Sequence, residues 1–538
     1  MMPAQPLSAN ISPDLLRQQQ LVNALCASGL FPHNTKIEET HISWVLLTGH
    51  DAYKIKKAVD LEFLDFSTLE ARHFYCTEEL RLNRRLAPHL YLDVASIGGS
   101  PEQPMLGPVL DKQPAIEYAV HMKRFAQSHM MDRMLARGLI TPAHIDKLAA
   151  VIASFHTALS PAAASSPLCM ISAIQTAALQ NFAQLPQLLS EPHDLATLEE
   201  VRVASELEYT ACEPLFRQRA DAGYVRECHG DLHPGNIVLL NDMPTPFDGI
   251  EFSIALRWID VISEISFTVM DLLRRGQPQL AWRLLNGYLE ITGDYQGCGV
   301  LRFYLSYRAM VRAKIAAIRA SQRGVANVKK ELKSCRSYLR LAHSCLTRRR
   351  PALIITHGLP GCGKSTFAQI ALERLGAIRI RSDVERKRLF GLAALADSKA
   401  LIGAYIYSED ATRRTYARLH ELARGVIAAG FPVIVDAAFL RHAERENFRA
   451  LAQELAVPFV IASVLVDASA LEERLAQRSS HGNDASEANV SVLRKLQVFQ
   501  EPLRDEEKDI SVTFINNGNV DALRSADEEW KSLDAQLS

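Results

Sequence analysis

The run Gly358-Leu359-Pro360-Gly361-Cys362-Gly363-Lys364-Ser365-Thr366 constrains this chain more than any other segment. It follows directly on Ile354-Ile355-Thr356-His357 and leads into Phe367-Ala368-Gln369-Ile370-Ala371-Leu372, so a strand, a tight glycine loop and a helix must succeed one another. Backbone amides of such a loop turn inward together and the helix N-terminus adds its dipole, which makes a cradle for a polyphosphate. Expected nucleotide contacts therefore run from Gly358, Leu359, Pro360, Gly361, Cys362 and Gly363 to Lys364, Ser365 and Thr366. Lys364 reaches the β/γ oxygens and Ser365 suits a magnesium ion.

The following segments complete an α/β domain with a parallel sheet. Ala377-Ile378-Arg379-Ile380-Arg381-Ser382-Asp383 reads as a short strand ending in a carboxylate, and Phe431-Pro432-Val433-Ile434-Val435-Asp436 as an apolar strand ending in another. Asp383 is the expected acceptor-side residue and Asp436 the expected magnesium-side residue. Val460–Val466 gives a further strand. In Leu471–Arg478 helical spacing puts Arg474 and Arg478 one turn apart, either as lid cations over a γ-phosphate or as a solvated face with Glu–Arg pairs. Asp484–Ala488 would form the far side of that lid, and no Asn-Lys-x-Asp follows to read a guanine.

Upstream lies a second, unrelated device, His229-Gly230-Asp231-Leu232-His233-Pro234-Gly235-Asn236. Phosphoryl transfer asks a protein mainly to position charge: metal ligands, a carboxylate at the acceptor hydroxyl and a cation on the triphosphate. Asp231 is the candidate base, and Asn236, five residues on, can ligate magnesium from the same loop. Asp248, in Phe247-Asp248-Gly249-Ile250-Glu251-Phe252, supplies a second metal carboxylate, and Glu251 is a candidate for the metal shell or the acceptor site. A turn or cap aspartate is the plain alternative for Asp231. The bare His-Gly-Asp-x4-Asn pattern, however, arises by chance in roughly one chain of this length in a thousand.

A chain of 538 residues is too long for one hydrophobic core. Apolar and charged fractions of 48% and 22% are those of an ordinary globular protein. A net charge of -1 gives no pull toward nucleic acid or an anionic membrane, and no apolar run approaches a span. Nine scattered cysteines without a CxxC pair fit reduced thiols. These features give the expectation of a cytoplasmic protein without nucleic-acid or membrane partners.

Residues 41–47 and 52–56 alternate around Thr48-Gly49-His50-Asp51 and read as a hairpin. A helix capped near Ser67–Glu70 follows and stops before Pro88, then an apolar segment Leu90–Ile97. Residues 117–125 read as an extended connection, and most of 146–156, 170–220 and 260–345 as helix. Thr347-Arg348-Arg349-Arg350-Pro351 marks a seam. The expected domains are a small lobe with an N-terminal extension (1–116), a large helical lobe (117–345), a linker (346–351) and the P-loop domain (352–538).

His229–Asn236, Phe247–Phe252 and the helix end Ile152-Ala153-Ser154-Phe155-His156 resemble the aminoglycoside phosphotransferase/choline kinase-like branch of the protein-kinase-like fold, over roughly residues 30–345. The resemblance implies a bilobal α+β domain with Asp231 catalytic and with Asn236 and Asp248 on magnesium. It also implies a strand lysine on the α/β-phosphates paired with a helix glutamate. Lys54, Lys56 and Lys57 compete for that role, and Lys54 with Glu79 is favoured. Residues 351–520 resemble small P-loop kinases of the gluconate-kinase, chloramphenicol-phosphotransferase and zeta-toxin type, and the whole arrangement resembles a bacterial family of bifunctional phosphotransferase/ATP-binding fusions. The expected function is ATP- and Mg2+-dependent transfer to hydroxyl groups of small molecules at two sites. One half as a regulatory nucleotide-binding module is an alternative. A toxin-like or protein-modifying kinase is another, for which Arg308, Arg312 and Lys314 offer a docking surface, against the favoured reading of a solvated or intrachain-paired helix face.

Overall fold

The computed structural model describes residues 12–32, 34–61, 64–107, 114–163, 166–169, 171–321, 328–347, 350–392, 408–467, 471, 474, 490–518 and 520–537. The chain divides into two compact units. The first is made of Met1–His144, Ser154–Cys169 and Ala220–Glu264, and the second of Ile145–Ala153, Met170–Arg219 and Ile265–Ser538.

The first unit opens with α1 (Pro13–Ala27), started by Ser12, whose hydroxyl accepts from the Leu15 amide. Then come β1 (Lys36–Glu39), β2 (Ser43–Leu47), β3 (Asp51–Lys56), α2 (Leu69–Asn83), β4 (Tyr91–Gly99), β5 (Pro104–Leu106) and β6 (Glu117–Lys123). The strands form one sheet in the order β1-β2-β3-β6-β4-β5, antiparallel throughout. The hairpin read from the sequence is β2–β3, with Val45 opposite Lys54. The extended segment 117–125 is more than a connection: as β6 it lies inside the sheet between β3 and β4, because Ala119 and Val120 are both fully buried there. Thr68 starts α2 by accepting from the Ala71 amide.

Further along, α3 (Pro142–Ala158) starts at Thr141 in a capping box with His144. Two short antiparallel ladders follow, β7 (Val225–Glu227) with β10 (Trp258–Asp260), and β8 (Ile237–Leu240) with β9 (Met243–Pro246). The His229–Asn236 loop runs between β7 and β8, and the Phe247–Phe252 loop leaves β9. The first loop is thus tied at both ends by strand pairing, and the second where it leaves β9.

Helices of the second unit are α4 (Ile171–Gln184), α5 (Pro192–Asp221, up to Arg219), α6 (Val261–Arg274, from Ile265, its first turn with Glu264 belonging to the first unit), α7 (Pro278–Thr292), α8 (Cys298–Ser321) and α9 (Val328–Thr347). Arg308 is buried against the Phe267 ring and Arg312 donates to the Tyr338 hydroxyl, so these cations are used inside the unit and do not form a docking stripe. After Pro351 come β11 (Ala352–His357), α10 (Lys364–Leu375), β12 (Ile378–Arg381), α11 (Ser382–Leu389), α12 (Glu409–Ala428), β13 (Pro432–Asp436), α13 (His442–Glu454), β14 (Phe459–Leu465) and β15 (Ser511–Ile515). The five strands form a parallel sheet in the order β12-β13-β11-β14-β15. All six residues of β11 are buried, as a central parallel strand covered on both faces requires.

One strand end differs from the reading above. β12 stops at Arg381, and Asp383 lies in the first turn of α11, where a carboxylate is favoured by the helix dipole. None of the nine cysteines forms a disulfide. Among the described residues no helix is long and apolar enough to cross a membrane.

Candidate active sites

In the first unit Gly230 adopts a φ of +88°, and a Cβ there would stand 2.9 Å from the Leu256 carbonyl oxygen. The loop is held from below by Glu264, whose Oε1 accepts from the His229 amide (2.5 Å) and Oε2 from the Gly230 amide (2.8 Å). Burial opposes the charge on Glu264, but His156, His229 and the amide donors outweigh it and hold the carboxyl below its usual range. Asn236 Nδ2 donates to the Asp231 carbonyl (3.0 Å) and to Asp231 Oδ2 (2.9 Å), which fixes a carboxylate that is one-third exposed.

The second loop is stapled to the first. The Ile250 amide donates to the His229 carbonyl and the Phe247 amide to the Asn236 carbonyl, each at 2.9 Å. Asp248 has a φ of +61°, stabilised by its amide donating to Tyr91 Oη (3.0 Å) and by the next amide, Gly249, donating to Asn83 Oδ1 (2.8 Å).

Lys54 and Lys56 point to the same face of β3 and meet one carboxylate, Glu79 of α2, which is fully buried. Lys54 Nζ donates to Glu79 Oε1 (2.7 Å) and to Asp248 Oδ1 (2.6 Å). Lys56 Nζ donates to Glu79 Oε2 (2.7 Å) and to Glu251. Lys57 points elsewhere, onto Glu39 and the Thr40 carbonyl. Burial works against Glu79 ionising, yet the two lysines carry its pKa down to about 2. Glu251 is pushed up, chiefly by burial, with Lys56 pulling against it.

In the second unit the glycine loop has three positive-φ glycines, Gly358, Gly361 and Gly363. A Cβ at Gly363 would meet Asn516 Nδ2 at 2.1 Å, and one at Gly358 the Val464 carbonyl oxygen at 2.6 Å. Asn516 Nδ2 donates to the Cys362 carbonyl (2.8 Å), clamping the loop from the end of β15. Lys364 Nζ lies against the loop itself, donating to the Leu359 carbonyl (2.9 Å). Ser365 and Thr366 occupy the first turn of α10, half-buried. Thr356 Oγ1 donates to the Ala437 carbonyl and accepts from its amide, so the neighbouring strand supplies a hydroxyl to the segment after Asp436.

Arg474 departs from the lid reading. Its guanidinium donates to the carbonyls of Asn516 (2.8 Å) and Gly518 (3.0 Å), bracing the segment that clamps the glycine loop. Arg478 and residues 484–488 lie outside the described residues.

The donor sets fit magnesium. Asn236 and Asp248 offer hard oxygen ligands, and Asp248 is half exposed beside Lys54. Asp436 ends the strand next to β11 and is buried, and its Oδ2 accepts no hydrogen bond, so it is an orphaned acceptor that a cation would satisfy.

Glu264, Tyr91, Asn83 and Asn516 escaped the sequence reading. Glu264 alone left a signal, as an acidic residue inside the apolar run Val261-Ile262-Ser263-Glu264-Ile265-Ser266-Phe267 that opens α6. The other three act through contacts with residues more than 150 positions away.

Residues 353–503 match the AAA domain family. An uncharacterized protein of Mycobacterium tuberculosis H37Rv is 28% identical over 450 residues, spanning 84% of this chain and 87% of its own. Among solved structures, a gluconokinase from Sinorhizobium meliloti 1021 is similar over 35% of this chain and 97% of its own, at 22% identity and a TM-score of 0.25. The GDP complex of aminoglycoside 2'-phosphotransferase-IIIa is similar over 61% of this chain and 99% of its own, at 13% identity and a TM-score of 0.36.

Proposed function

We propose that the chain is an ATP- and magnesium-dependent phosphotransferase with two sites, each transferring the γ-phosphoryl group to a hydroxyl of a small molecule. The observation that carries this reading is that each unit gathers a phosphate-type cation and a metal-type carboxylate on its own scaffold. Lys54 meets Asp248 in the first, and in the second Asp436 ends the strand beside the one that feeds the Lys364 loop.

At the first site Asp231, steadied by Asn236, orients the acceptor hydroxyl and takes its proton as the new O–P bond forms and the bond from the γ-phosphorus to the bridging oxygen breaks, that oxygen leaving with ADP. Lys54 offsets charge on the triphosphate, and Glu79 fixes where that cation stands. At the second, the loop amides and Lys364 hold the phosphates, while Asp383, at the start of α11, faces the acceptor role. Magnesium, held by Asn236 and Asp248 in one unit and by Ser365 and Asp436 in the other, would offset phosphate charge. The reading implies small-molecule acceptors and a cytoplasmic setting.

The test is a screen of cell-extract metabolites with labelled ATP, run on the wild type and on Asp231→Ala and Lys364→Ala. Each substitution is expected to remove its own set of labelled products. If both variants remain folded and label the same products at wild-type rates, the proposal fails.

A further inference from the structure

Helix α7 precedes Pro351, yet it belongs to the same compact unit as the P-loop sheet and covers that sheet's open edge. Its residues at helical spacing do this turn by turn. Trp282 lies on Gly376, where a Cβ would come within 2.9 Å of the indole, and Arg283 Nη1 donates to Glu373 of α10 (2.8 Å). Asn286 donates to the Ala377 carbonyl (2.9 Å) and accepts from the Arg379 amide (2.7 Å), pairing with the β12 edge as a neighbouring strand would. One turn on, Glu290 accepts from Arg379 Nη2 (2.9 Å) through Oε2 and from Arg381 Nη1 (2.8 Å) through Oε1.

Arg381 is the register partner of Asp436 on the adjacent parallel strand, so the two side chains emerge on one face at the C-terminal edge of the sheet. Arg381 Nε stands 3.7 Å from Asp436 Oδ2, close enough for charge attraction and too far for a hydrogen bond. Asp436 Oδ2 is the buried oxygen that accepts no hydrogen bond. The guanidinium is therefore anchored on Glu290 and stops short of the carboxylate.

We propose that Glu290 is a positioning residue for the P-loop site: by holding Arg381 at this distance it keeps Asp436 open to a divalent cation. The proposal rests on the reading of Asp436 as a magnesium carboxylate. Without the Glu290 carboxylate, Arg379 and Arg381 lose a counter-charge they share, and Asp436 Oδ2 already stands 3.7 Å from Arg381 Nε. Closing that pair places a cation where the metal would sit. A helix encoded before the P-loop segment thereby sets the metal affinity of the P-loop site, and the segment after Pro351 alone lacks that control.

The experiment is a Mg2+ titration of fluorescent ADP-analogue binding to the full chain, counting only the signal that Lys364→Ala abolishes. Glu290→Gln, Arg381→Met and the double variant are compared with the wild type, each checked for folding by circular dichroism. Glu290→Gln is expected to raise the Mg2+ midpoint by about 5-fold or more. Arg381→Met is expected to leave it unchanged or lower it, and the double variant to behave as Arg381→Met. If Glu290→Gln unfolds the chain, Glu290→Asp, which keeps the charge on a shorter arm, replaces it, and the same dependence on Arg381 is expected. A Glu290 effect that persists in the Arg381→Met background, or a midpoint moved less than about twofold, overturns this proposal alone. Absence of any Lys364-dependent, Mg2+-dependent binding in the wild type overturns it together with the reading of the site.

Discussion

Lys56→Met removes one cation from a fully buried cluster, and its cost follows from what each partner is left with. Glu79 keeps Lys54 on its other oxygen, whereas the buried Glu251 carboxylate loses the ammonium it touches. Breaking a buried pair from one side costs about 3–5 kcal/mol, because the surviving charge stays desolvated. In a unit of about 200 residues each kcal/mol moves the melting temperature by about 2–4 °C, so a fall of roughly 6–20 °C is expected. Calorimetry of the full chain measures it. The sign of the pH dependence is also fixed: burial already raises the Glu251 pKa, and loss of Lys56 raises it further. Between the unfolded and folded pKa values the folded chain holds the extra proton, so the variant regains stability relative to the wild type as pH falls from neutrality toward the ordinary carboxylate range. Adding Glu251→Leu removes the stranded charge and should recover at least half of the loss. A loss under about 1 kcal/mol, or a double variant no better than the single, would refute the view that an ionised Lys56–Glu251 pair holds this corner together.

Glu264→Gln replaces one of the two acceptors under the His229–Gly230 turn by a donor. It should weaken loop positioning by about 1.5–3 kcal/mol, read as a roughly 10- to 100-fold fall in Asp231-dependent kcat with KM for ATP little changed. Gly363→Ala places a Cβ against Asn516 Nδ2 in a left-handed conformation, and calorimetric titration should show nucleotide binding at the P-loop lost with the fold intact. His357 is held down to about 4, mainly by burial, with Arg445 and Lys364 adding to it. The unfolded chain therefore takes up a proton that the folded chain refuses, and stability contributed by this group falls by about 3 kcal/mol as pH drops from 6.5 to 4. Denaturant titrations across that range should show a shallower decline in His357→Phe.

The two sites differ in how far they could be read from the sequence, for a physical reason. The P-loop site is built from contiguous residues whose strand, glycine turn and helix are dictated locally, and Asp436 is found by reading the end of an apolar strand. Asp383 lies past the strand because Arg381-Ser382-Asp383 suits both a strand end and a helix start, and the dipole of α11 decides between them. Arg474 has the spacing of a lid residue, but its partners are backbone carbonyls 42 and 44 positions downstream, which no local pattern encodes. Segment 117–125 reads as extended, but its place inside the sheet depends on β3 and β4, both distant in sequence. Glu290 offers nothing locally beyond an acid near a helix end, and its meaning comes from the edge it covers.

Strand parity could not choose between Lys54 and Lys56, since both face Glu79 and each takes one of its oxygens. What separates them is the far side of each ammonium. Lys54 leads to Asp248, a carboxylate that is half exposed, whereas Lys56 leads to Glu251, which is buried, and sits over the Phe66 ring at 5.0 Å. A solvent-borne phosphate can displace Asp248 from Lys54 while Glu79 still anchors that lysine, but it has no approach to Lys56 that leaves the fold closed. Lys54→Met is accordingly expected to raise KM for ATP at the Asp231 site by tenfold or more, the loss of one charged hydrogen bond, with a smaller fall in melting temperature than Lys56→Met. Should Lys56→Met give the larger KM effect at a temperature where both variants are folded, the assignment reverses. The phosphate-facing lysine would then be the inner one, and the Lys54–Asp248 contact would serve the fold.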